Sequence, residues 1–207
     1  MTDVSGYVAL TYDDGPDPGS TAALLGALRS AGARATFFDV GRRARAHPEL
    51  VRAQRAAGMW VGNHSWTHPH LTGLSAARIA TELARTQRAL QDATGGTPTL
   101  FRPPYGDTDA VVGAVAARLG LTEVLWDADS RDWAGAGTEE IVAAASALRA
   151  GDVLLMHDGH RATVDAVPRI VEALAARGLR TGMISAASGR AVAPPSHAGT
   201  PGETEQE

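Results

Sequence analysis

Short apolar runs alternate with Ala- and Arg-rich amphipathic stretches along almost the whole chain, and this alternation restricts the fold more than any other feature. The runs are YVALTY (7–12), RATFFDV (34–40), MWVGN (59–63), TLFR (99–102), TEVLWD (122–127), DVLLMH (152–157) and RTGMI (180–184). Between them the pattern predicts helices near 20–31, 48–57, 75–92, 108–118, 138–149 and 164–176. Ser75, and Thr138 with Glu139 and Glu140, supply N-cap and first-turn chemistry. Gly32, Gly58, Gly120 and Gly178 each follow a helical stretch, where a C-terminal cap belongs. Strand and helix in alternation give a parallel sheet covered by helices. About seven such units suit a single-domain α/β barrel better than an open sheet, although spacing alone does not close the ring.

Reactive groups in barrels of this kind gather at the C-terminal ends of the strands. Asp13 and Asp14 follow the first run, and His64 follows the third. Arg102 and Tyr105 follow the fourth, 127–133 follow the fifth, and His157 ends the sixth. Polar, reactive residue types therefore fall at one end of five separate strands.

Composition removes several function classes. The 207 residues carry a formal net charge of -4, and all 19 basic residues apart from histidine are Arg, with no cluster beyond short pairs. Nucleic-acid binding is not expected. No Cys is present, which excludes disulfides, thiolate metal sites and a Cys nucleophile. No apolar run approaches the roughly 18 residues a membrane span needs. The start, MTDVSGYVAL, lacks a basic segment followed by an apolar one, so no signal peptide is expected within it. Met1 reads equally as a natural start or as one that replaces a removed leader. From about Val192 the chain becomes rich in Pro, Gly, Thr, Ser and Glu. Residues 193–207, with His197, are expected to be a disordered tail or the stump of a linker, and 1–192 the folded domain.

Five stretches carry candidate chemistry. In NHSWTHPHL (63–71), His64 and His68 lie four residues apart, about one helical turn, so both rings can point one way. The same spacing also describes two loop histidines that only hydrogen-bond. Position 65 is Ser, so the HExxH protease signature is not met, and Pro69 stops any long helix. In TYDDGPDPGS (11–20), adjacent aspartates precede a Gly-Pro turn. Strand neighbours face opposite sides, but a turn at the strand end can bring both to one site; a solvated turn is the plainer alternative. One Asp with two His makes a facial set of three ligands for a catalytic divalent ion. A second, unligated Asp beside it can act as a base. In LFRPPYGDT (100–108), two prolines stiffen the backbone, and a rigid N–H aimed into a site can stabilise an oxyanion. WDADSRDW (126–133) holds three acids and two Trp, and LLMHDGH (154–160) ends a strand on His157.

Together, in this order, these stretches resemble the five motifs of the polysaccharide deacetylase family, also called the NodB homology domain or carbohydrate esterase family 4. The likeness covers roughly residues 6 to 193 and is nearest to secreted bacterial acetylxylan esterases. Tyr12, where the family usually has Phe, is a small departure. The resemblance implies a distorted (β/α) barrel in which Asp14, His64 and His68 hold one divalent ion. Zn²⁺ is expected, with Co²⁺, Ni²⁺ and Mn²⁺ as alternatives. It further implies that Asp13 is the general base, His157 the general acid, and Tyr105 the donor of a backbone N–H to the oxyanion. Arg102 matches the partner of Asp13, and Asp132 the partner of His157. Trp133 and Leu155 match residues that wall the acetyl pocket. His70, His160 and His47 stay outside the ligand set, and Met59 and Met156 belong to the core.

The implied activity is hydrolysis of acetyl groups on a polysaccharide or oligosaccharide, with acetylxylan O-deacetylation first. N-deacetylation of chitin oligomers or peptidoglycan by the same machinery is the alternative. A sugar-binding module with a dead site conflicts with five complete motifs, and a two-carboxylate glycosidase leaves His64 and His68 without a purpose. A secreted monomer that contacts neither membrane nor nucleic acid is expected.

Overall fold

The computed structural model describes residues 4–195. In chain order the strands and helices are β1 (Gly6–Asp13), α1 (Thr21–Ser30), β2 (Thr36–Asp39), α2 (Gly41–Ala46), α3 (Pro48–Ala56), β3 (Trp60–Asn63), α4 (Ala76–Thr94) and β4 (Leu100–Phe101). They continue with α5 (Ala110–Arg118), β5 (Thr122–Glu123), β6 (Ala128–Asp129), α6 (Thr138–Ser146), β7 (Val153–His157), α7 (Arg161–Ala176), β8 (Leu179–Thr181), β9 (Met183–Ile184) and β10 (Ala191–Val192).

Seven parallel strands run in the order β5-β4-β3-β2-β1-β7-β6, and helices pack around them. The fold is the (β/α) barrel expected from the alternation, distorted as the family resemblance implies, with its ends, β5 and β6, not paired to each other. β1 occupies the middle because it is apolar on both faces, as a strand inside a parallel sheet must be. Its Val8, Leu10 and Tyr12 enter the main core with Leu24 and Leu28 of α1 and Ala166 and Ile170 of α7. Ala9 faces the barrel interior with Phe38, Leu100, Val124 and Val153. The register sets Asp13 of β1 opposite His157 of β7. The two residues therefore emerge side by side at the C-terminal edge.

Three details differ from the sequence expectations. The seventh strand of the barrel is β6, two residues inside WDADSRDW, and the run at 180–184 plays another part. That run divides into β8, which pairs with Gly6–Val8 of β1, and β9, which forms an antiparallel hairpin with β10. Short GRRARA also forms α2, too brief for a periodic pattern to reveal. Finally, Thr138 opens α6 as its first helical residue, and Gly137 is the N-cap. Glu140 reaches back to accept from the Gly137 N–H at 2.8 Å, so Thr138 is not needed as the cap. Ser75 does hold the N-cap position of α4, without a side-chain capping bond. Gly32, Gly58, Gly120 and Gly178 all take positive φ after helices, as their places in the chain suggest. Residues 196–207, the greater part of the expected tail, lie outside the described residues, and so does His197.

Candidate metal and catalytic site

Loops at the C-terminal edge bring the singled-out residues together. Asp13 is the last residue of β1, and its side chain is buried. The next residue, Asp14, turns into the left-handed region at φ 69°. That change of backbone sign undoes the strand's alternation and lets both carboxylates face one site. A cis Gly15–Pro16 peptide follows.

The segment from His64 to His70 is a loop and not a helical turn. Ser65 and His68 both have positive φ, and this, rather than helical periodicity, makes the rings converge. Other parts of the chain hold the loop. The Asn63 amide donates to the Leu83 carbonyl and to Gln87, while its oxygen accepts from the Ser65 N–H. Glu82 of α4 accepts from the N–H groups of Trp66 and Thr67 and from the Thr67 hydroxyl. Sequence reasoning did not single out Glu82 or Asn63. Glu82 acts across 15 and 16 residues, and no local pattern marks it.

His64 Nδ1 lies 2.8 Å from the Arg102 carbonyl, which can only accept. Nδ1 therefore carries the proton, and Nε2 offers a lone pair to the site. Three atoms meet there. Asp14 Oδ1 is 3.4 Å from His64 Nε2 and 3.1 Å from His68 Nε2, and the two Nε2 atoms are 3.2 Å apart. Four-coordinate zinc with ligands at about 2.0–2.1 Å has ligand–ligand edges of about 3.3 Å. The triangle fits one face of such a shell. Asp14 Oδ1 is buried and lacks a hydrogen-bond partner among the described residues, as expected of an atom reserved for a cation. Burial pushes the Asp14 carboxyl up, but the close approach of the His64 and His68 imidazoles outweighs it and holds the carboxyl well below the usual carboxylate range.

Asp13 stands beside this triangle, with Oδ2 3.7 Å from His64 Nε2. Its Oδ1 accepts from Arg102 Nη1 at 2.8 Å. Arg102 is wholly buried inside the barrel, 4.3 Å above the Phe38 ring. Nη1 also donates to the Thr11 hydroxyl, Nε to the Val124 carbonyl and Nη2 to the Leu125 carbonyl. Burial lowers the Arg102 pKa and Asp13 opposes that shift. Four donated bonds, one of them to a carboxylate, make this an adequately paired buried cation.

On the other side of Asp13, His157 Nδ1 donates to Asp132 Oδ1 at 2.7 Å. Asp132 also accepts from the N–H groups of His157 and Trp133 and from the Thr163 hydroxyl. Burial lowers the His157 pKa, but the Asp132 hydrogen bond and the charges of Asp13, Asp132 and Asp14 outweigh it and hold it above the ordinary imidazole value. Asp132 moves the other way. Burial raises its pKa, yet His157 and Thr163 bring it below the usual carboxylate range. His157 Nε2 is left free of this network, beside the cavity.

The cavity holds about 330 Å³ and is lined by Asp13, Asp14, His64, His68, Tyr105, Leu155, His157, Trp126, Asp129, Trp133 and His160. Tyr105 sits at φ 63°, after two prolines that have no N–H, so its own N–H is the first after Arg102. Its ring packs between His68, at 4.5 Å, and His70, at 4.1 Å. His70 bonds Asp107 and remains outside the triangle. Trp133 is more than half exposed at the rim, with Nε1 donating to Asp129. Asp129 and Trp126 complete a wall that the sequence did not single out residue by residue. Asp127 separates from its neighbours. It accepts from the Val153 N–H and pairs with Arg190, at the strands' opposite end. Met59 and Met156 are buried, and His47 bonds Glu49 at the surface. Tyr12 is buried with its hydroxyl unpartnered among the described residues, so the core accommodates the departure from Phe without a bond in return.

Residues 2–124 match the sequence model of the family described as Polysaccharide deacetylase. The chain is 44% identical over 194 residues to the bifunctional xylanase/xylan deacetylase of Cellvibrio japonicus, covering 93% of this chain and 29% of that protein. It is 38% identical over 175 residues to the peptidoglycan-N-acetylglucosamine deacetylase PgdA of Listeria monocytogenes, covering 83% of this chain and 36% of that protein. It thus spans well under half the length of these two relatives. The solved structure of a family 4 carbohydrate esterase from Streptomyces lividans, in complex with acetate, has a TM-score of 0.91 and 57% identity, covering 92% of this chain and 99% of that one.

Proposed function

The chain belongs to the polysaccharide deacetylase family, and we propose that it hydrolyses acetyl esters on a polysaccharide, acetylated xylan first. The observation that carries this reading is the pairing of the Asp14–His64–His68 triangle with the Asp13–His157 pair across one small cavity. Asp14, His64 and His68 would hold a divalent ion, with Zn²⁺ the best match for two imidazoles and a carboxylate. When bound, that ion supplies acidification of water and polarisation of a carbonyl.

The chain's own groups do the rest. Asp13, oriented by Arg102, takes the proton from the attacking water. The tetrahedral oxyanion lies within reach of the Tyr105 N–H, and losing one such donor typically costs about 3–4 kcal/mol of barrier. His157, kept protonated by Asp132, gives its proton from Nε2 to the departing sugar oxygen. Trp133 and Leu155 bound the space for the acetyl methyl. Base and acid act in one cavity, so kcat/KM follows a bell in pH.

The ester reading comes before the amide reading because the xylan deacetylase relative shares more identity over more of the chain than the peptidoglycan deacetylase does. An amide leaving group depends more on protonation by His157. Residues 1–192 form the catalytic unit in this reading, and 193–207 lie beyond it. The protein works as a monomer outside the cell, where such polymers are found. No helix among the described residues is long and apolar enough to cross a membrane.

The test is acetate release from acetylxylan and from chito-oligosaccharides, side by side, with metal content measured for wild type and Asp13→Ala. The variant should keep its ion and lose turnover by about 10²–10⁴-fold. A preference of orders of magnitude for the amide would reverse the ranking of substrates. Full turnover in the variant would remove Asp13 from the chemistry.

A further inference from the structure

A groove of about 700 Å³ runs along the outer flank between α2–α3 and α4. It holds none of the groups above except Trp66, the residue midway between His64 and His68. From Trp66 it follows one face of α4. Arg45 of α2, Arg52 of α3, and Arg85 and Arg88 of α4 line it, with Asp92 as the one acid in its wall. Alanines form much of its floor, which leaves the space open.

The four arginines are exposed. Among the described residues no carboxylate pairs with any of them, whereas Arg43, Arg102, Arg161, Arg169 and Arg190 all have acidic partners. Arg85 instead covers the Trp66 ring at 4.2 Å. A chain of net charge -4 thus gathers four unneutralised guanidinium groups in one concave strip. Guanidinium forks match carboxylates in a bidentate way, and like charges facing one groove favour an anion there.

We propose that this groove is a second binding site, for a carboxylate-bearing stretch of polysaccharide such as a run of uronic-acid residues. A polysaccharide is the occupant that fits the position. The groove and the cavity share one loop: Trp66, which lines the groove, lies between His64 and His68, which line the cavity, so a bound polymer would lie beside the candidate metal loop. The choice of a polysaccharide rests on the deacetylase reading; the anion preference rests on the arginines alone.

The test uses an oligogalacturonide as probe, with a neutral xylo-oligosaccharide and a glycerol-phosphate oligomer of similar length as controls. Binding is followed by calorimetry and by the Trp66 indole N–H signal, assigned with Trp66→Phe. The uronide should perturb that signal, bind more weakly as salt rises, and lose about tenfold in affinity in Arg52→Gln/Arg85→Gln/Arg88→Gln, each exposed pair being worth roughly a factor of two. The single variant Arg88→Gln gives a smaller loss in the same direction, and thermal melting checks that both variants fold. On acetylated xylan with and without uronic-acid side groups, the triple variant should raise KM only on the acidic polymer.

Equal uronide affinity in wild type and triple variant overturns the proposal. So does binding of the phosphate oligomer without the uronide. Uronide binding that the variants abolish, in a protein that deacetylates nothing, keeps the groove and removes the deacetylase reading.

Discussion

The two ends of the barrel solve the same backbone problem differently. At the N-terminal end, helices return to the sheet through Gly32, Gly58, Gly95, Gly120 and Gly178, each with positive φ. Glycine adopts that conformation at little steric cost. At the C-terminal end, Asp14, Ser65, His68, Tyr105 and Arg131 take up the same region with full side chains. These are all the described non-glycine residues with positive φ, and all five lie in the loops around the candidate site. Each costs on the order of 1–2 kcal/mol relative to an ordinary conformation. One end is built for economy of folding, and the other gives up stability to place particular atoms. Strain concentrated in this way marks a working surface.

The sharpest way to break this comparison lies at the C-terminal end. Asp132→Asn removes the negative charge that, with its hydrogen bond, raises the His157 pKa. Turnover should fall by about 10²–10⁴-fold. The pH profile tests the cause. His157 is held above its ordinary value of 6.5, so the basic limb in wild type lies above pH 6.5. Without the Asp132 charge, burial pulls the pKa down and the limb moves to lower pH. An unmoved limb would detach His157 from the acid role.

Arg102→Met tests whether the site is also a structural liability. It leaves the Asp13 carboxylate buried without its cation, at a cost of about 3–5 kcal/mol in chemical unfolding. At the opposite end, Gly120→Ala places a Cβ at φ 70° and should lose about 1–2 kcal/mol. Arg131→Gly does the reverse at φ 58° and should gain up to about 1 kcal/mol while the fold stays intact. If both changes shift stability the same way, the division between the ends is wrong. The smallest effect belongs to Arg190, which ties the β9–β10 hairpin to Asp127 and Asp152. It is half exposed, so Arg190→Ala should cost no more than about 1 kcal/mol, and less as salt rises.

The N-terminal end was largely legible in the sequence, because glycine after a helical stretch is a local signal. So were the strands, whose apolar runs need no partner to be seen. The site was legible as residue types at strand ends, which brought Asp13, Asp14, His64, Arg102, Tyr105 and His157 into view. It was not legible as geometry. Helical spacing was the sequence's reason for pairing His64 with His68, but two left-handed residues bring them together. β6 escaped because two residues carry no periodicity, and Asp127 was grouped with Asp132 although the intervening strand sends them to opposite ends. Glu82 escaped because it acts on a loop far away in sequence. The resemblance supplied roles that neither composition nor spacing carries.

The alignment of Asp13 with His157 across neighbouring strands has a broader implication. Adjacent strands sit about 4.8 Å apart whatever side chains they bear. The backbone spacing between the proposed base and acid is therefore set by the peptide lattice, insulated from drift in the surrounding loops. Those loops can vary in sequence while the two strand-end positions keep their span.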